Sequence, residues 1–280
     1  MFELTRQAVD AAVAEYDSLN RLPFLKLYGF PKDDAVFLRH PSTGHVYDAR
    51  AIAGAALHDQ GDLAPSRPSA AATAEALSGL GFEVIDVSVG WVFEPGDQIR
   101  RVDLHRLYGG SRQNGIAPST ISENVLIFSE ASSGEQHGYV DVWDSEGTFH
   151  YTGEGQTGDQ SLRSGNKAIA EHHDTEKALR VFDGAGGDVT YLGEFQVDPT
   201  QPHYPTTAPS TDNGPDRQVI VFRLQPTEPG TIKPAAAVTI EAVTGGVEAV
   251  PVEANTTSGF DVAGTQGHTA TRREQDLVLA

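Results

Sequence analysis

The chain contains no cysteine, which removes disulfides, thiolate chemistry and every cysteine-based zinc site. Any metal would need histidine and carboxylate ligands. No apolar run approaches the roughly 18 residues that a membrane-spanning helix needs. The opening stretch MFELTRQAVDAAVAEYDSL interrupts its apolar positions with acidic residues, so it lacks the continuous apolar centre of a signal peptide. Together these absences predict a cytoplasmic protein. Basic residues are also scarce: 20 Lys and Arg face 39 Asp and Glu, a formal net charge of −19. Such a total repels a polyanion at long range, and binding to nucleic acid then depends on local arrangement.

Catalytic patterns are missing as well. Ser132 and Ser133 have no G-x-S-x-G elbow around them, and no HNH-like nuclease motif occurs. Gly153, Gly155 and Gly158 approach a dinucleotide-binding spacing, but no long apolar strand leads into them. His172-His173-Asp174 is the one tight metal-like cluster. Adjacent helical side chains diverge by about 100°, which predicts one packed and one exposed histidine rather than a metal site. We expect no cofactor and no metal.

What is present falls into three textures. In residues 1–88, Phe2, Leu4, Ala8, Val9, Ala12, Val13 and Tyr16 recur at spacings of mostly three and four, which predicts an amphipathic opening helix. AVFLRHPSTGHVYDARAIAGAAL then reads as strand, turn at Pro41 to Gly44, short strand and small-residue helix, and SAAATAEALSGLG as a further helix. Residues 89–225 switch to short β-branched and aromatic runs divided by Gly, Asp and Ser: VSVGWVF, NVLIFSE, GYVDVWD, GTFHYTG, DVTYLGEFQVD and RQVIVFRL. One helix is expected among them, over NKAIAEHHDTEKALRVF. Residues 226–268 are rich in Pro, Gly, Thr and Ala and read as a linker with short strands. TATRREQDLVLA, at 269–280, reads as the start of a capped helix, from which we expect a further domain downstream. The fold class is α+β: a small N-terminal α/β head domain followed by a mixed β-barrel with a helical insertion.

Within the barrel texture, GTFHYTGEGQTGDQSLRSGNK (147–167) has neither helical nor strand periodicity and is studded with Gly147, Gly153, Gly155, Gly158 and Gly165. Just before and within it, Tyr139, Trp143, Phe149 and Tyr151 alternate with Asp141, Asp144 and Thr152. Aromatic faces can sandwich a planar base, and a carboxylate accepts hydrogen bonds from an exocyclic amine. The same pattern also suits cross-strand core pairs with turn aspartates. For Phe149 the core reading is preferred; for the others both stay open. Arg100, Arg101, Arg106 and Arg112 precede the glycine-rich run, and Arg163, Lys167, Lys177 and Arg180 follow it, a modest basic footprint.

Four ordered blocks carry a resemblance: YGGSRQNGI (108–116), HGYVDVWDSEGTFHYTGEG (137–155), SGNKAIAEH (164–172) and EKALRVF (176–182). They resemble the SRA domain, a PUA-like module that reads methylcytosine. They are closer still to the SRA-like domains of modification-dependent, type IV restriction endonucleases of the Streptomyces McrA type. LYGF (27–30) and VYDARAIAGAA (46–56) are similar to the head domain that precedes it there. The resemblance implies a specificity module for double-stranded DNA carrying 5-methylcytosine or 5-hydroxymethylcytosine, with a nuclease domain outside the chain and with homodimerisation as a further expectation. It implies that the cytosine flips out between Tyr139 or Trp143 and Tyr151, that Asp141 or Asp144 reads its edge, and that Thr152 walls the pocket. Arg106, Arg112, Gln113, Arg163, Asn166 and Lys167 are the implied DNA contacts. Ala168 stands where eukaryotic readers carry an arginine, which implies a weaker hemimethyl preference. A sensor of another modification such as phosphorothioate, or a self-contained nucleic-acid enzyme, are the alternatives.

Overall fold

The computed structural model describes residues 3–32, 34–60, 67–129, 141–210, 214–227 and 230–232, with the backbone of 239–240. Residues 1–245 form one compact unit. The head comprises α1 (Arg6–Leu19), α2 (Arg21–Tyr28), β1 (Val36–Arg39), β2 (Val46–Asp48), α3 (Ala49–Asp59), α4 (Ala70–Gly79) and β3 (Glu83–Asp86). Thr5 caps α1 by accepting from the Ala8 amide at 3.2 Å, and Ser69 caps α4 in the same way. The three strands pair antiparallel in the order β2-β1-β3. Helix α3 is buried along almost its whole length, and its alanines let α1 and α4 approach closely around Val9, Val13, Tyr16, Phe24, Ile52 and Leu77. Inside that core Tyr16 donates to Asp48 at 2.6 Å and Arg21 pairs with the same carboxylate at 2.7 Å, so the buried charge is neutralised.

The second part contains β4 (Gln98–Arg100), α5 (Arg101–Tyr108), β5 (Ile116–Pro118), β6 (Asn124–Ser129), β7 (Val142–Asp144), β8 (Phe149–Thr152), α6 (Ser164–Ala170), β9 (Ala178–Asp183), β10 (Asp188–Val197), β11 (His203–Ala208), β12 (Arg217–Pro226) and β13 (Thr239–Ile240). Among the described residues these strands make one mixed sheet, β13-β7-β8-β12-β10-β9-β6-β5, with β11 added to β12 and β4 to β10. Its two faces bury different cores because alternate strand residues point to opposite sides. On β6, Val125 and Ile127 face the interior with Leu179, Val181, Phe195 and Phe222. Leu126 and Phe128 face outward, where they meet Phe182, Leu104 and Tyr108. On β10 a register irregularity between Tyr191 and Gly193 reverses the alternation: Val189 and Tyr191 lie in the outer core, Phe195 and Val197 in the inner one.

The outer core also takes in Phe37, Val46 and Ile85 of the head sheet. Phe37 therefore packs against the barrel while its neighbours Val36 and Leu38 pack against the head helices. Two expected elements differ, and two helices are additional. VSVGWVF is a 3-10 turn over Val87–Val89 followed by irregular chain, because Gly90 sits at φ 112°. The helix expected over 166–182 stops at Ala170; turns follow, Glu176 takes φ 52°, and ALRVFD pairs as β9 in parallel with β6. Burial of Leu179, Val181 and Phe182 on two sheet faces outweighs the helical propensity of the segment. Finally α2 and α5, too short for a clear period, were not expected. Most of the expected linker and all of 269–280 lie outside the described residues.

Candidate nucleic-acid interface

The inner core contains residues from both edges of the sheet, Ile116 and Val125 with Trp143 and Tyr151, so the sheet curls into a barrel. Its edges meet through side chains. Ser129, the last residue of β6, donates to Asp141 Oδ2 at 2.7 Å, and the Thr152 amide donates to Asp141 Oδ1 at 2.8 Å. Tyr151 Oη approaches the Phe128 carbonyl at 3.4 Å. Burial pushes the Asp141 carboxyl up to about 6, against the opposing effect of the Thr152 and Ser129 hydrogen bonds.

From Thr152 the chain runs straight into the glycine-rich loop, which the structure folds by side-chain clamps. Asn166, 2% exposed, accepts from the Glu154 amide at 2.7 Å and donates to the Glu154 and Ser161 carbonyls at 2.9 and 3.1 Å. Glu154 accepts from the Gly165 amide at 2.7 Å. Gln160 donates to the Gly153 and Gly155 carbonyls and accepts from the Ile220 amide at 2.9 Å. Asp159 accepts from the Gln218 amide at 2.8 Å, so the loop returns to the free margin of β12 beyond its pairing with β8. Gly153 is required here: a Cβ would lie 2.6 Å from Asn166 Oδ1.

Between this loop and the segment 113–115 opens a polar cleft of about 490 Å³, lined by Gln113, Asn114, Glu154, Asp159, Arg163 and Ser164 among others. Gly115 joins cleft and barrel, since a Cβ there would lie 3.2 Å from Tyr151 Oη. Arg163 is the one cation of the lining. The two carboxylates of the lining are turned to backbone amides, as described above. At the rim the Arg163 amide donates to the Ser161 carbonyl at 2.8 Å, a tight turn that leaves Leu162 at its apex, 43% exposed. Ser164 follows with φ 47°, a costly conformation for a residue with a side chain.

Residues 95–243 match the ScoMcrA-like SRA domain, and residues 2–86 match the ScoMcrA-like N-terminal head domain. The chain belongs to the ScoMcrA-like family. Among solved structures it is similar to the type IV phosphorothioation-dependent restriction endonuclease ScoMcrA, at 16% identity and TM-score 0.40, covering 80% of this chain and 68% of that one. The sulfur binding and SRA domains of ScoMcrA complexed with phosphorothioated DNA give 21% identity and TM-score 0.40, over 69% and 60% of the two chains. The SUVH5 SRA domain with fully methylated CG DNA gives 26% identity and TM-score 0.35, over 50% and 92%. No curated protein matches.

In this ScoMcrA-like chain the residues expected at a base pocket separate. Asp141, Tyr151 and Thr152 come together at the barrel edge. Tyr139 lies outside the described residues. Trp143, 3% exposed, packs on Phe149 and Phe195 with ring centroids 5.0 and 5.9 Å apart, in the core it shares with Tyr151, 4% exposed; of the two, it is the Tyr151 hydroxyl that reaches the cleft-lining Gly115. Asp144 is also corrected: it accepts from the amides of Glu146 and Thr148 at 3.0 and 2.8 Å and from buried His150 at 3.1 Å, as a turn residue does. Its carboxyl is held below the usual range despite burial, by His150 and those turn amides.

The expected DNA contacts divide similarly. Gln113 and Arg163 are exposed on the two sides of the cleft, and Arg112 is exposed next to Gln113 in the chain. Lys167 is exposed and paired with Glu171 at 3.6 Å. Asn166 is a buried loop clamp at the wall of the cleft. Arg106 is turned inward, donating to the Val46 carbonyl and pairing with Asp103 at 3.0 Å. Ala168 is half-buried against the inner core. Sequence reasoning missed Gln160, Glu154 and Leu162; the spacing of Gln160 and Asn166 around Gly153 was visible, but only the fold pairs them. His172 is buried, bonded to the Lys177 carbonyl and the Val197 amide, while His173 is exposed.

Proposed function

We propose that this chain is a reader of modified double-stranded DNA that captures an extruded modified cytosine, 5-methylcytosine or 5-hydroxymethylcytosine, at Asp141, Tyr151 and Thr152. The observation that carries this reading is the placement of Asp141. Each of its oxygens already takes one hydrogen bond, from Ser129 or Thr152, and each keeps a lone pair for an exocyclic amine. The adjoining cleft offers Gln113 and Asn114 on one side and Arg163 with Leu162 on the other. An apolar tip beside a cation suits insertion into a base step and contact with the flanking phosphate. Its role in a modification-dependent restriction system is recognition, and the position of a second copy in a homodimer is part of the same proposal.

ScoMcrA is described as phosphorothioation-dependent, so a phosphorothioate duplex belongs in the test. Titration of matched duplexes carrying cytosine, 5-methylcytosine, 5-hydroxymethylcytosine or phosphorothioate is expected to favour the modified cytosines. Equal affinity for all four at moderate salt overturns the reading; preference for phosphorothioate alone replaces the modified-cytosine assignment.

A further inference from the structure

Helix α5 carries buried polar side chains on two opposite faces, and each face holds a different part of the molecule. At 3.6 residues per turn, Arg101 and His105 share one side, and Asp103 and Arg106 lie on the other. Asp103 is fully buried. It accepts from the Val46 amide at 3.3 Å and from Arg100 at 2.7 Å, and it pairs with Arg106 at 3.0 Å. Arg106 in turn donates to the Val46 carbonyl. Both polar groups of one head residue are thus taken up by two side chains of α5, in the manner of a strand bridge built from side chains.

The other face holds the segment that forms one lip of the cleft. Arg101, buried and stacked 3.7 Å from the Phe128 ring centroid, donates to the carbonyls of Asn114 and Ala185. His105 Nδ1 lies 2.8 Å from the Gly109 carbonyl, and Arg101 Nε donates to His105 Nε2 at 3.3 Å. A carbonyl only accepts, so His105 carries its proton on Nδ1 and is neutral. The lip 109–114 is therefore held at both ends by α5. The opposite wall is held by Gln160, Asn166 and Glu154, whose partners lie in the loop itself and on β12.

We propose that the head domain sets the position of the cleft lip through α5, with Asp103 as the positioning residue at the head end and Arg101 at the lip end. The consequence for DNA selectivity rests on the reader assignment above; the mechanical coupling does not. The role of the head is then to brace the recognition cleft rather than to swing beside it.

The test is amide hydrogen exchange on the whole 280-residue chain, comparing Asp103→Ala, Asp103→Asn and Arg101→Lys with the parent. Asp103→Ala is expected to speed exchange of the bonded amides of Gly109 and Gln113 by about tenfold, the scale of one lost charged hydrogen bond, while Glu154 and Gln160 stay as protected as before. Asp103→Asn keeps an acceptor for Val46 and should restore part of the protection. Arg101→Lys should loosen the lip and leave Val46 protected. The proposal is overturned if the lip is unchanged in Asp103→Ala, or if both walls loosen alike. Discrimination between modified and unmodified duplexes should fall with lip protection across the variants. A parent chain that shows no such discrimination refutes the reader assignment, and the exchange pattern still decides the coupling.

Discussion

Ser129 closes β6 and donates to Asp141 at 2.7 Å, tying one edge of the curled sheet to the other at the carboxylate assigned to the base. Because that carboxyl is buried, its pKa is raised to about 6. A raised carboxyl pKa means that the folded chain holds the proton more tightly than the unfolded one. The stabilisation is full below the ordinary value of 3.8 and is lost as pH rises through about 6.

Asp141→Asn should therefore be more stable than the parent at neutral pH, and should show a smaller loss of stability between about pH 4 and 6. The ionised carboxylate accepts more strongly from the cytosine amine than the neutral acid does, so selectivity of the parent for modified duplex should rise across this window. Duplex titrations and thermal melts at several pH values check both; a pH-independent selectivity sinks the role of Asp141.

His150 works in the opposite direction. It is buried between Asp144 and Tyr204, and burial holds its pKa below the ordinary 6.5. The unfolded chain takes up the proton first, so stability is present above about 6.5 and falls as pH drops through the lower folded value. His150→Gln should flatten this acid limb in denaturant melts, and an unchanged limb would remove His150 as its cause.

Salt dependence separates surface arginines from buried ones. Arg112→Ala and Arg163→Ala should each weaken duplex binding and lower the slope of log affinity against log salt by about 0.9 if each meets one phosphate. Arg106→Ala leaves Asp103 to Arg100 and the Val46 carbonyl without its donor, and should cost about 1–3 kcal/mol of stability with the slope unchanged. Denaturant unfolding and binding at varied salt distinguish the two outcomes.

Gln160→Ala removes the acceptor of the Ile220 amide and the donor to Gly153 and Gly155. We expect about 1–3 kcal/mol of lost stability and a drop in duplex affinity of tenfold or more as the loop loses its shape. Gln160→Glu, which keeps the acceptor and loses the donor, should fall between. Full affinity in the alanine variant would detach the loop shape from recognition.

Much of the fold was legible because its signals are local. Short β-branched and aromatic runs in NVLIFS and RQVIVFRL mark β6 and β12, and the small-residue run at 49–59 marks α3. ALRVFD misled, since its helical company hides a strand that only its long-range partners β6 and β10 stabilise. At the site, Asp141, Tyr151 and Thr152 sat in one recognisable block, yet the same block offered Trp143 and Asp144 with equal chemistry. Trp143 and Tyr151 face the same inner core and Asp144 differs from Asp141 by opening a turn; neither distance to the cleft nor the start of a turn is fixed by sequence pattern near a hairpin.

The sequence by itself determined the family, through ordered blocks of residues, and the apolar runs that become strands buried on both faces. Only the tertiary structure decided which arginines face water. Arg112 and Arg163 lie on exposed loops, whereas Arg101 is buried and Arg106 half-buried because carbonyls of Asn114, Ala185 and Val46 wait for them. A guanidinium leaves water only where such acceptors converge, and that convergence joins positions too far apart in the chain for any local pattern to record.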